Sequence, residues 1–178
     1  MLTVGYTLRV SNKLPGALNH DTLLLQASAR SNGHTSRVVR HLADQLDCPV
    51  VDLLDHRIHP YDYAGNYPAD DSFIALVRDR LLPVDRIILA SPVYWYAMSG
   101  GMKTFLDRFT DLLTTHKELG RQLRGKQLAV LSCANDAEVN LGFYEPFRLT
   151  AAYLGMTYTD TWHGYVKPDG TVVVMRRH

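Results

Sequence analysis

Cysteine is scarce in this chain of 178 residues: the two thiols, Cys48 and Cys133, stand far apart and form no CxxC pair. That excludes a disulfide framework, and with no Cys/His spacing suited to zinc or an iron–sulfur cluster it excludes those centres as well. An excess of charge of one sign is also missing, since 19 Lys and Arg against 18 Asp and Glu leave a formal net charge of +1. Such a surface has neither the basic field of a nucleic-acid binder nor the composition of an acidic tail, so no nucleic-acid partner is expected. No apolar run approaches the roughly 18 residues of a membrane span, and no membrane partner is expected. The first twenty residues (MLTVGYTLRVSNKLPGALNH) lack a basic start followed by a continuous apolar stretch and a small-residue cleavage site. A cytoplasmic protein is the expectation, with two unpaired thiols in a reducing compartment.

What is present is 46% hydrophobic and 21% charged residues, the composition of one soluble globular domain over residues 1–178. Residues 1–20, broken by Pro15-Gly16, read as an N-terminal extension. From residue 22 onward, β-rich runs alternate with amphipathic stretches, the pattern of a parallel sheet covered by helices on both faces. Strands are expected at 22–27 (TLLLQA), 49–53 (PVVDL), 85–91 (DRIILAS), 126–132 (KQLAVLS) and 156–162 (MTYTDTW). The first, third and fourth have the continuous apolar cores of strands buried on both faces. Val38, Val39, Leu42 and Leu46 recur at helical spacing, as do Phe73, Val77 and Leu81 ahead of the helix-stopping Pro83. A third helix carries the stripe Met102, Phe105, Leu106, Phe109, Leu112 and Leu113, with Lys103 and Asp107 one turn apart on another face. A fourth covers about 143–154, with Pro146 in its first turn and Gly155 at its end. The Pro-Asp-Gly turn in GYVKPDGTVVVM predicts a closing hairpin over 164–178. The 61–71 segment is the one long irregular stretch inside the domain.

In an open parallel sheet, ligands lie beyond the carboxyl ends of the strands. After the first strand comes Ser28-Ala29-Arg30-Ser31-Asn32-Gly33-His34-Thr35-Ser36, which opens directly into a helix. Backbone N–H groups at the helix start, the hydroxyls of Ser28, Thr35 or Ser36, and the Arg30 charge form a cradle for a phosphate. Equally, a cluster of Ser and Thr at this place serves to cap a helix. A Walker loop and a GxGxxG dinucleotide fingerprint are both absent, and no nucleophilic Cys stands at the strand end for phosphatase chemistry. After the third strand, Ser91-Pro92-Val93-Tyr94-Trp95-Tyr96 puts three consecutive aromatics in a loop. They offer a flat apolar wall for a planar ring, or a surface for a neighbouring helix or subunit.

The run from Ser91 through Trp95, followed by Met98-Ser99-Gly100-Gly101-Met102-Lys103-Thr104-Phe105-Leu106-Asp107-Arg108, resembles the signature of the NADPH-dependent FMN reductase family, whose first loop has the form Ser-x-Arg-x-x-Gly-x-Thr. The resemblance spans about residues 22–162. It implies an α/β, flavodoxin-like three-layer sandwich with a five-stranded parallel sheet in the order 2-1-3-4-5. It also implies that Ser28, Arg30, Gly33, His34, Thr35 and Ser36 hold the FMN phosphate and that Pro92, Val93, Tyr94, Trp95 and Tyr96 line its ring system. His34 departs from the Asn or Ser often found there, although a His there still offers a donor to phosphate. Ser132 and Asn135, in Ser132-Cys133-Ala134-Asn135-Asp136, take the place of a third flavin loop that is usually richer in Gly and less acidic. Cys133 reads as a small residue ending a buried strand. The activity implied is hydride transfer from NADPH or NADH to FMN, then to a small electron acceptor such as a quinone, an azo compound or free flavin, with no side chain assigned as acid or base. A flavodoxin-type electron carrier or an FMN-containing redox-sensing or partner-binding protein is the alternative, and the near-zero charge speaks against the strongly acidic carrier. The resemblance further implies a homodimer or homotetramer, its contact expected at the loop aromatics and the 61–71 segment. His56 and His59 read as solvated loop residues, and Lys103, Asp107 and Arg108 as surface or structural ion pairs.

Overall fold

The computed structural model describes residues 21–177, so the expected extension at 1–20 lies outside the described residues. The elements are β1 (Thr22–Gln26), α1 (His34–Leu46), β2 (Val50–Asp52), α2 (Phe73–Leu76), β3 (Arg86–Pro92), α3 (Gly100–Asp107), α4 (Lys117–Arg121), β4 (Gln127–Cys133), α5 (Glu145–Leu154), β5 (Thr157–Val166) and β6 (Val172–Arg177). The sheet order is β2-β1-β3-β4-β5-β6, with β1 to β5 parallel and β6 antiparallel to β5. The five parallel strands thus take the expected flavodoxin-like order.

The closing hairpin forms, but its first arm is β5 itself. Trp162 and Val166 are both buried in the core under α1, so the strand has no reason to stop at 162 and runs on to Val166, and β6 becomes a sixth strand. Across the turn, Lys167 N–H donates to Thr171 O at 2.8 Å and Gly170 takes φ +87, where glycine is favoured. Near its start β5 carries a bulge, its register against β4 shifting between Leu128 and Val130.

Parity along the strands sorts two cores. Leu24, Ile88 and Leu131 pack beneath Val38, Val39 and Leu42 of α1. Leu23, Leu25, Leu89 and Val130 face the opposite way, against Phe73, Phe105 and Phe147 from the helices of the other layer. Each fully buried Leu or Phe here stabilises the fold by roughly 1.5–3 kcal/mol. Phe73 and Phe105 meet edge to face with centroids 5.6 Å apart. The α1 helix approaches β5 closely enough that a Cβ on Gly164 would lie 2.2 Å from Val38 Cγ1, so only glycine fits there. The second expected helix is α-helical only through Leu76 and then widens into a π turn over Val77–Leu81. Among the described residues no helix is long and apolar enough to cross a membrane.

Candidate functional site

The turns after β1, β3 and β4 meet at the carboxyl edge of the sheet around a cleft of about 710 Å3, within the usual range for small-molecule sites. Ser28, Arg30, Gly33, His34 and Thr35 line one end. There α1 begins at Gly33 in extended backbone with no side-chain hydrogen bond capping the helix and no acidic residue in its first turn. The Ser and Thr cluster therefore does not cap its own helix, and the first-turn N–H groups remain available to an anion. A Cβ at Gly33 would sit 2.9 Å from Arg30 Nε, so glycine lets the Arg30 side chain lie across the mouth of α1. Among the described residues Arg30 makes no ion pair. Ser36 differs from its neighbours: it is buried behind the loop, its Oγ has no partner among the described residues, and it does not line the cleft.

Pro92, Val93, Tyr94 and Tyr96 form the next wall. Val93 N–H donates to Cys133 O at 2.8 Å, tying the second loop to the third. Tyr94 and Ala97 exchange hydrogen bonds of 2.9 and 3.0 Å around a two-residue turn whose central residues, Trp95 (φ 50) and Tyr96 (φ 66), are both left-handed. Such turns ordinarily use Asn-Gly, and bulky residues there carry strain. The turn leaves Tyr94 47%, Trp95 93% and Tyr96 72% exposed, and it sends Trp95 away from the cleft lining. Behind it, Ser99 Oγ donates to Ala27 O at 2.8 Å and accepts from Met102 N–H at 3.2 Å, so this serine caps α3 and stitches it to the end of β1.

The third wall comes from Cys133 through Asn140, including Asn135, Asp136 and Glu138. Ser132 is not part of it. It shares its strand face with Leu128 and Val130, turned from α1, and is fully buried, its Oγ 2.6 Å from Tyr144 Oη and 2.8 Å from His163 Nδ1. His163 Nε2 lies 2.8 Å from Asp136 O. A carbonyl only accepts, so Nε2 bears the proton and Nδ1 accepts from Ser132 Oγ–H. Burial holds the His163 imidazole below its ordinary pKa, against the raising effect of its bond to Asp136 O. Burial likewise pushes the Cys133 thiol far up, and its side chain packs in the core under α1, so this thiol is not a nucleophile. Glu138, Val139 and Asn140 escaped the sequence reading, which ended the third loop at Asp136, although their position just beyond the fourth strand was a usable signal.

Away from the cleft, Arg108 is fully buried and clamps the 61–71 segment. It donates to both oxygens of Asp71 at 2.6 and 3.0 Å, to Asp111 at 2.7 Å and to His59 O at 3.0 Å, with its guanidinium 3.5 Å from the Tyr67 ring centroid. Burial pushes the Asp71 carboxyl up, but the Arg108 bonds and the N–H groups of His59 and Phe73 outweigh it and hold Asp71 below the usual carboxylate value. Lys103 pairs with Asp107 on the surface. His59 pairs with Asp70, and the described residues contain no metal-binding cluster.

An uncapped helix start beside a guanidinium with no ion-pair partner among the described residues, joined to an aromatic wall at the switch point of a parallel sheet, gives this flavodoxin-like fold a cleft with an anion-binding end and a flat apolar wall. Residues 21–163 match the model of the family described as NADPH-dependent FMN reductase, and the chain belongs to that family. It is an FMN-dependent oxidoreductase. It is 25% identical, over 83% of each chain, to the "Putative NAD(P)H-dependent FMN-containing oxidoreductase YwqN" of Bacillus subtilis. It is also 27% identical to the FMN-dependent NADPH-azoreductase of Staphylococcus haemolyticus, over 48% of this chain and 50% of that one. Among solved structures, the Trp repressor binding protein of Bacillus subtilis shares the fold with TM-score 0.64 and 23% identity, over 82% of this chain and 87% of that one. General stress protein 14 of Treponema denticola, solved with FMN, shares it with TM-score 0.56 and 19% identity, over 84% and 88%.

Proposed function

We propose that the chain holds FMN in the cleft between the β1, β3 and β4 turns and uses it to carry hydride from NADPH or NADH to a small acceptor such as a quinone, an azo compound or free flavin. The uncapped start of α1, with Arg30 beside it and without an ion-pair partner among the described residues, is the observation that carries this reading. Bound FMN supplies the ring nitrogen that takes up hydride and gives it back. Ser28, Thr35, Arg30 and the first-turn N–H groups of α1 bind the phosphate, with His34 as a further donor. Pro92, Val93, Tyr94 and Tyr96 orient the ring, and Asn135 and Asn140 offer donors to its polar edge. No side chain is needed as acid or base. The exposure of Tyr94 and Tyr96 leaves that wall accessible, so reductant and acceptor use the same opening in turn.

A homodimer or dimer of dimers, joined where Trp95 and Tyr63 stand out at 93% and 94% exposure, completes the proposal. The site of action is the cytoplasm, where the buried, unpaired Cys48 and Cys133 stay reduced. The test is purification followed by absorption near about 450 nm for bound flavin and steady-state oxidation of NADPH and NADH with menadione, an azo dye or added FMN. A flavin band with turnover of at least one acceptor is expected. A protein that binds no flavin overturns the reading, and one that binds flavin but turns over with no acceptor replaces the enzyme with a carrier.

A further inference from the structure

The family match ends at residue 163, so the turn beyond β5 and all of β6 lie outside it. This hairpin nevertheless touches two of the three loops around the cleft. On the β1 side, Arg37 of α1 donates to Gly170 O in the hairpin turn, and Val38 packs against Gly164. On the β4 side the contacts are denser. Ala134 N–H donates to Gly164 O at 3.1 Å, His163 Nε2–H donates to Asp136 O at 2.8 Å, and Arg177 Nη2 donates to Ala137 O. Three nearby positions of the third loop are thus held by β5 and β6, immediately beside the side chains of Asn135, Asp136 and Glu138 that line the cleft.

Arg177 is unusual for an arginine on an edge strand. Among the described residues no carboxylate lies within ion-pair distance of it, its buried Nε has no partner, and its side-chain hydrogen bond goes to a backbone carbonyl of the site loop. Its own backbone is fixed opposite Thr161, whose Oγ1 donates to Arg177 O at 3.0 Å. A guanidinium held in this way defines the position of the carbonyl it grips, because its donors are planar and its backbone is not free to follow a moving loop.

We propose that the C-terminal hairpin is a working part of the cofactor site, with Arg177 as a positioning residue that keeps the 134–140 loop against the flavin ring. The inference rests on the reading that the cleft holds FMN. Because the third loop lies away from the anion cradle, Arg177 affects binding of the ring and not of the phosphate. FMN and riboflavin, which differ by that phosphate, separate the two effects.

The experiment measures affinity of flavin-free protein for FMN and for riboflavin by fluorescence quenching, in the wild type, Arg177→Met, Arg177→Lys and Arg30→Ala. Hydrogen exchange of residues 134–140 and thermal unfolding are followed in the same proteins. Arg177→Met is expected to weaken both flavins by about five- to tenfold, to leave their ratio unchanged and to speed exchange in 134–140 with little change in Tm. Arg177→Lys, which keeps a donor, recovers most of the affinity. Arg30→Ala weakens FMN alone. Wild-type affinity of Arg177→Met for both flavins, or unchanged exchange in 134–140, overturns the inference, and so does a loss confined to FMN. A wild type that binds neither flavin overturns instead the reading that the cleft holds FMN.

Discussion

Two arginines from the recognised motifs meet opposite fates. Arg108, near the end of the α3 signature, is fully buried and satisfied by Asp71, Asp111 and the His59 carbonyl. Arg30, in the first loop, is exposed, lies against Gly33 and has no ion-pair partner among the described residues. The lesson is that a motif residue's role follows from whether the fold has already answered its charge. Arg108 uses its donors inside the protein and anchors a loop, whereas the Arg30 guanidinium has no ion-pair partner among the described residues, which supports the proposal that it binds an anion.

The hardest way to break this contrast is at Arg108. Arg108→Met leaves Asp71 and Asp111 buried without their cation, and removal of one partner of a buried pair costs about 3–5 kcal/mol. A large drop in Tm is expected, with the 61–71 segment becoming a protease target. A variant as stable as the wild type would show that the clamp is not structural. Arg30→Ala is the counterpart, expected to cost about 1.5–3 kcal/mol of FMN affinity by titration. The Tm of the flavin-free protein should stay where it is. An unchanged FMN affinity would return the first loop to a role in building the helix start.

The contrast could not be drawn from the sequence because it depends on partners far along the chain. Asp71 is 37 positions from Arg108, and nothing in the spacing announces that they meet. What was legible was local: the continuous apolar runs of β1, β3 and β4, the stripe on α3, and the turn signals of Pro146, Gly155 and Pro-Asp-Gly. The first two site loops were legible for the same reason, each being a short motif at a strand end. Ser132 and Cys133 show where that reasoning stops. Adjacent strand residues point to opposite faces, so only one of the two can line the cleft, and the choice is made by the packing of Tyr144 and His163 above Ser132. The bonds that join β5 and β6 to the third loop link residues far apart in the chain and mostly involve backbone groups, so the bracing of that loop was not visible.

The same division between site and scaffold extends to the backbone at Trp95 and Tyr96. Two left-handed non-glycine residues in succession store conformational strain at the mouth of the cleft. Trp95→Asn relieves part of it, since Asn tolerates that conformation, and Trp95 does not line the cleft. Stabilisation by about 1–2 kcal/mol is expected with little change in FMN affinity. An unchanged or lower Tm would mean that the turn is not strained, and a lower FMN affinity would place Trp95 in the site.

His163 sharpens the contrast most, because it is a buried structural residue one hydrogen bond from the cleft wall. Its imidazole faces Ser132, the Asp136 carbonyl, the Asp136 and Glu138 carboxylates and Arg177, and burial keeps it neutral. In the unfolded chain it titrates at its ordinary value of about 6.5. Below that pH the unfolded state takes up a proton that the native state does not, so stability falls as pH falls, until the lowered native value is reached. The loss between about pH 6.5 and pH 5.5 is at most about 1 kcal/mol. His163→Gln removes the titration, and the difference in slope between wild type and variant, read from urea unfolding across that window, isolates it from the other histidines. Parallel slopes would mean that the imidazole titrates alike in both states, and that burial does not hold it neutral.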